Sequence, residues 1–249
     1  MPNPIISQEP EPPGSADVRG IVNVDAVANR LSRERLTKYI ARTGGSVPQA
    51  LDLYLWNREI GMALNVVLAE FEVCLRNSVS MALSDKATAD RHGPDWHTHR
   101  RLKHNNRDIT REFEDTYERA RQNRNGFAPA LPDFIAASHF NLWRELCKPA
   151  YGGVFWAKRV RLSFPHVTLP GDERSILTEV HRRVDLLLKL RNRIAHHEPL
   201  LGPIYDKPGE KLRLRHREMI GLLEWMDPNF AHWVASRDRF EAVMAACPR

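Results

Sequence analysis

Residues 173–198 read Glu-Arg-Ser-Ile-Leu-Thr-Glu-Val-His-Arg-Arg-Val-Asp-Leu-Leu-Leu-Lys-Leu-Arg-Asn-Arg-Ile-Ala-His-His-Glu. At about 100° per residue, Ile176, Val180, Val184, Leu187, Leu188 and Ala195 fall on one apolar stripe, the strongest helical period in the chain. Arg191 projects onto the middle of that stripe. A guanidinium there faces a core or an interface, where an unpaired cation is costly. It therefore needs a carboxylate such as Glu72, a phosphate, a water-filled cleft, or a stem that snorkels to the surface. Asn192 and His196 are i,i+4 neighbours on one edge of the stripe, and His197 lies on the other. Pro199 stops the helix just beyond them and puts both histidines in its last turn, where the macrodipole favours a cation. An obligate cation, an amide and two imidazoles at one helix end suit gripping or cleaving a phosphodiester. The other reading is a C-capping histidine pair without chemistry. Arg191 and His196 are about 140° apart on an ideal helix and share no face. Either the terminal turn distorts, or the two reach into a cleft made with another helix or another subunit.

Outward from this segment the chain reads as helices. Leu64, Leu68, Phe71, Leu75 and Ala82 share one face of a long helix over about 46–85, with Glu72 and Arg76 four residues apart on its shoulder. Ser32 is placed to cap an earlier segment ending at Gly44-Gly45, and Asp108 to Gln122 reads as a charged surface helix. Asp133 to Cys147 reads as one more helix, and Val154 to Leu162 as a short helix or a strand. Two helices close the chain over about 212–246, the second capped by Asp227 with Pro228 in its first turn. No strand ladder, G-x-G-x-x-G or P-loop is present, so the expected fold is all-α with no bound cofactor. The first 22 residues, rich in proline, read as a disordered leader, and 23–249 as a single domain with core helices at about 46–85 and 172–198.

A chain of 249 residues that is 42% hydrophobic can bury a sizeable core, and its net charge of +6 points to a polyanionic partner. Cys74, Cys147 and Cys247 are odd in number and far apart, which argues against a disulfide framework or a zinc site. No window approaches the ~20 apolar residues of a membrane span, and no signal-peptide run opens the chain. A cytoplasmic protein without membrane or metal is the expectation.

With these residues in place, the chain resembles the HEPN superfamily, and within it the Abi-like (abortive infection) branch of phage-defence proteins. The superfamily motif is an arginine, a polar residue, then a histidine, with four to six residues between the arginine and the histidine. Arg191, Asn192 and His196 fit the spacing with four residues between, and His197 the one with five. The segment from Glu72 to Asn77 is similar to that branch's earlier E-x-x-L-R-N helix, and the Trp143-containing segment falls between the two helices in the right order. The resemblance covers roughly residues 50–200.

It implies an all-α, HEPN-like helical bundle with additional helices that forms a homodimer, two motifs facing each other across one cleft. It further implies a metal-independent endoribonuclease, a toxin or antiviral defence effector, in which the RNA 2′-hydroxyl attacks the adjacent phosphorus. Under that implication His196 moves a proton or stabilises the leaving group, Arg191 binds the non-bridging oxygens, and Asn192 orients His196 or the phosphate. Glu72 and Arg76 form a supporting pair that positions Arg191, and His197 shares or replaces the role of His196. A separate antitoxin or sensor partner would restrain such an enzyme. The alternative is a non-catalytic HEPN module that binds RNA or a protein through the same cationic cleft. The basic stretch with Arg100, Arg101 and Lys103 is a candidate RNA contact, with Trp96 available for base stacking, or else a solvated loop. His97 and His99 lack a third metal ligand.

Overall fold

The helical periods of the sequence carry through to the backbone: 77% of the described residues are helical and none lies in a strand. The structure, a computed structural model, describes residues 23–98, 107–156, 158–200 and 209–248. The Pro-rich leader over 1–22 and the RNA-contact candidates Arg100, Arg101 and Lys103 lie outside the described residues. The fold is all-α. In chain order the helices are α1 (Val24–Leu31), α2 (Arg33–Arg42), α3 (Val47–Ala89), α4 (Arg107–Asn123), α5 (Leu131–Ala137), α6 (Phe140–Leu146), α7 (Val160–Ser163), α8 (Glu173–Ala195), α9 (Glu210–Met226), α10 (Pro228–Ala235) and α11 (Phe240–Ala245).

Backbone contacts divide the chain into two compact units, Met1–Asn57 with Cys247–Arg249, and Arg58–Ala246. In the first, the Ser32 side chain accepts from the Arg35 N–H at 3.3 Å to start α2, as its position before the helix predicts. Tyr39 meets Tyr54 edge to face at 5.6 Å between ring centroids, and Leu36, Ala50 and Leu53 are buried with them.

In the second unit α8 lies between α6 and α9. It buries Ile176, Leu177, Val180, Val184, Leu187 and Leu190, and fully burying each such side chain contributes about 1.5–3 kcal/mol. Within the second unit, the part of α3 from Arg58 onward meets α8. The tail of α8 lies at Gly61, while α7, which packs on α8 and precedes it in the chain, lies at Ser78, where the Ser163 hydroxyl donates to the Ser78 carbonyl at 2.8 Å. The two long helices are therefore antiparallel. Gly61 permits a close approach: a Cβ there would stand 3.5 Å from Leu200 Cδ1 and 3.7 Å from Ile194 Cγ2.

Three sequence expectations change. The single helix from Asp133 to Cys147 is two, because Ser138 and His139 are extended between α5 and α6. The Ser138 hydroxyl donates to Ile135 O and accepts from Trp143 Nε1 at 2.7 Å, holding the break. The last helix also divides, into α10 and α11, since Asp238 caps Phe240 N–H at 2.9 Å and is held by His216. Finally, Trp96 is fully buried, edge to face with Phe113, Phe134 and Trp143, and its Nε1 donates to Ser80 Oγ at 2.9 Å. It has no free face for a base. His97 is buried beside it with Nε2 at 3.2 Å from the Pro129 carbonyl. The described residues of 152–163 form a π-helical turn, Gly152–Trp156, and then α7, and none of them lies in a strand.

Candidate active site

The motif residues sit where α8 ends, and the ending is unusual. Asn192 O accepts the His196 N–H at 2.9 Å, Ile194 O the His197 N–H at 3.0 Å, and Arg193 O the Glu198 N–H at 2.9 Å. The last two are the bonds of a Schellman closure, which needs a left-handed residue one past the cap. That residue is His197, at φ 56°, where glycine or asparagine is the usual occupant. His196 itself, the cap, keeps φ −86° and ψ 5°, close to helical. The distortion therefore begins after His196 and does not swing its side chain toward Arg191.

The two arginines of the motif part company here. Arg193 is committed to the turn: its guanidinium bonds the Pro199 carbonyl and pairs with Glu198 at 3.4 Å. Arg191 is exposed, and no side-chain hydrogen bond or ion pair holds it among the described residues. The stripe projection placed it over the core. The buried face turns toward Leu190 and the half-buried Ile194 in the final turns, and Arg191 and Ala195 emerge at its edge. Asn192, His196 and His197 are exposed as well.

Glu72 and Arg76 do form the ion pair that their spacing predicts, both half-buried on α3. No hydrogen bond or ion pair joins either to Arg191 among the described residues. With Gly61 level with Ile194, antiparallel helices rising 1.5 Å per residue separate Glu72 from Arg191 by about 12 Å along their axes. Within one chain the pair steadies α3 rather than touching the motif arginine. Arg76 Nε is buried with no hydrogen-bond partner among the described residues.

A second polar group, absent from the sequence reading, adjoins the motif. Asp185, Lys189, Asn192 and His196 recur at four, three and four residues, one line along α8. Asp185 pairs with Lys189 at 2.8 Å and with Arg144 of α6 at 3.3 Å. Glu145, only 2% exposed, takes both Arg144 and Lys148. Burial works against the charge of Asp185, but the Lys189 hydrogen bond and the nearby cations outweigh it and lower its pKa. His181, behind this line, has its pKa lowered by burial and then by Arg144. The α8 spacing made the line legible; the Glu145 hub left no signal, since a carboxylate between Leu142 and Leu146 reads as surface.

Other chemistries find little support. Burial alone pushes the Cys147 thiol up to about 12, and burial also raises Cys74, so neither is an activated nucleophile. Among the described residues no three His, Cys, Asp or Glu side chains gather where a metal ion would be held. No helix among them is long and apolar enough to cross a membrane. What the α8 end offers is a guanidinium unpaired among the described residues and the His196 imidazole, presented to solvent on different faces. In comparisons with known proteins, no family model, no curated protein and no solved structure matches this chain.

Proposed function

We propose that this protein is a metal-independent endoribonuclease whose site is completed by a second copy of the chain, so that Arg191 of one protomer and His196 of the other meet on one RNA phosphate. The observation that carries the reading is the unequal use of the two arginines: Arg193 is locked into the helix closure, while Arg191 is held by no ion pair or side-chain hydrogen bond among the described residues. A guanidinium at a helix end that no carboxylate occupies is available to an anion such as a phosphate. The 140° between Arg191 and His196 favours a shared cleft over a site within one chain. The likeness of Arg191, Asn192 and His196, with Glu72 and Arg76, to the HEPN motif helices supports the same reading.

In this reading Arg191 binds the two non-bridging oxygens and stabilises the charge that grows on them. The 2′-hydroxyl gives its proton to solvent water as its oxygen attacks phosphorus, the P–O5′ bond breaks, and the products carry a 2′,3′-cyclic phosphate and a 5′-hydroxyl. His196 delivers a proton to the departing 5′-oxygen, and Asn192, one turn back on the same edge, orients it. A role as a toxin or phage-defence effector, restrained by an antitoxin or sensor, follows the same resemblance. Purified protein incubated with RNA in EDTA tests the site: the wild type is expected to cut, and Arg191→Ala and His196→Ala to lose about 100-fold or more in rate. Retained cleavage in both variants would remove the assignment, and strict metal dependence would remove the mechanism. RNA binding without cleavage would leave the non-catalytic module.

A further inference from the structure

The tail of α8 meets α3 where Ile194 lies against Gly61, and that contact line decides what borders the groove on either side of it. At about 100° per residue, one sense of rotation from Gly61 leads to Ile60 and Leu64, and the same sense from Ile194 leads to Leu190. All three are buried. Rotations of like sense fall on the same side of an antiparallel helix pair, so that side is the core. The opposite sense leads to Arg58, about 60° round from Gly61, to Asn65, about 40° round, and to Arg191, about 60° round from Ile194. These three therefore share the solvent side of the groove between α3 and α8. Arg58 is half-buried, Asn65 and Arg191 are exposed, and no side-chain hydrogen bond or ion pair holds any of them among the described residues.

Two guanidiniums on one side of a groove repel each other unless an anion lies with them. No carboxylate among the described residues takes that place. Glu59 lies about 160° round α3 from Gly61, Glu198 pairs with Arg193, and Glu72 pairs with Arg76. Arg58 stands three residues before Gly61 and Arg191 three before Ile194, and the helices run in opposite directions. The two arginines are therefore about 9 Å apart along the groove. That separation exceeds one phosphate and suits two neighbouring phosphates of one strand. We propose that Arg58 is a second phosphate-binding residue, gripping the RNA backbone at the phosphate next to the one held by Arg191, with the Asn65 amide donating between them. The strand in the groove is single, because attack by the 2′-hydroxyl needs its oxygen brought in line with the departing 5′-oxygen, which a strand free to bend allows. The inference deepens the nuclease reading and rests on it for the identity of the anion. Arg58 belongs to the same chain as Arg191, so it acts whichever copy supplies His196.

The test uses the full chain and a 2′-O-methyl RNA single strand, which carries every phosphate but no nucleophile, so that binding is read without cleavage. Fluorescence anisotropy over a salt series is expected to give Arg58→Gln a dissociation constant about 10-fold higher and a salt slope shallower by about 0.7, the share of one single-strand phosphate. Arg58→Lys keeps the charge and should keep the slope. Asn65→Asp, at an exposed position that the fold tolerates, sets a carboxylate between the two guanidiniums and should also weaken binding by at least ~10-fold. Arg174→Gln removes an exposed cation at the other end of α8 and should leave the slope as it is. With cleavable RNA, Arg58→Gln should raise KM more than it lowers kcat, whereas Arg191→Ala should lower kcat. Wild-type affinity and slope in both Arg58→Gln and Asn65→Asp overturn the inference, and leave the nuclease standing if the protein still cuts. An equal loss from Arg174→Gln, which makes the effect one of net charge, overturns it too, as does a wild type that binds no single-stranded RNA. Binding that depends on Arg58 in a protein that never cuts RNA supports the groove and removes the nuclease.

Discussion

Replacing His197 by glycine tests both the α8 closure and the choice between the two histidines. His197 occupies the left-handed position of the Schellman closure at φ 56°, between two hydrogen bonds that tie Ile194 and Arg193 to the following backbone. An L-residue pays about 1–2 kcal/mol to stay there. Glycine avoids that cost but gives back roughly 0.5–1 kcal/mol through the extra freedom of its unfolded chain. The net expectation for His197→Gly is a stabilisation of about 0.5–1 kcal/mol, a rise of about 1–4 °C in melting temperature for a chain of this size. Differential scanning fluorimetry reads the first quantity, and RNA cleavage in EDTA the second, with His197→Asn as the variant that tolerates the same backbone. If His196 carries the chemistry, both variants stay active while becoming as stable as the wild type or more so. A melting temperature lowered by several degrees would refute the backbone argument. Activity lost at full stability would transfer the chemistry to His197 and make the strained backbone part of the site.

Other outcomes follow from the packing around α8. Glu145→Ala should cost roughly 2–3 kcal/mol in urea denaturation, less than a fully buried pair, because Arg144 and Lys148 keep partial access to water when their shared carboxylate is removed. Gly61→Ala should stabilise by about 0.5–1 kcal/mol, since its Cβ would find ordinary contacts at 3.5 and 3.7 Å, whereas Gly61→Leu has no room against Ile194 and Leu200 and should destabilise by about 1–3 kcal/mol. His181, half-buried and facing Arg144, Lys148, Asp185 and Glu145, has a folded pKa below its unfolded 6.5, so on acidification the unfolded chain takes up the proton first. Stability therefore falls as pH drops below about 6.5, and His181→Gln should flatten the loss of melting temperature between about pH 7.5 and 5.5; an equal slope in both proteins would contradict it.

The long helices were legible because their apolar positions repeat at a period that only a helix satisfies. Ser32, Asp227 and Pro228 marked ends through hydrogen bonds that any chain of that local sequence would make. The break at Ser138 was not legible, because its hydroxyl is satisfied by Trp143 only once α6 has folded back. Trp96 and His97 sat in a stretch rich in His and Arg and read as surface; what buries them is an aromatic cluster drawn from α4, α5 and α6. At the motif, projection identified the edge that holds Asn192 and His196, and the 140° offset from Arg191 survives because distortion starts only at His197. Projection misplaced Arg191 itself: an ideal stripe carries on to the helix end, but the buried face rotates away from it over the last turns. Nothing local told Arg191 from Arg193, whose difference depends on Glu198 and Pro199 folding back beneath the turn.

The measurement that bears most directly on the proposed nuclease is the end chemistry of its RNA products, read by mass spectrometry after digestion in EDTA. Attack by the 2′-hydroxyl predicts 2′,3′-cyclic phosphate and 5′-hydroxyl ends from the wild type and none from Arg191→Ala or His196→Ala. Products bearing 3′-hydroxyl and 5′-phosphate ends, or cyclic phosphate still released by both variants, would contradict it.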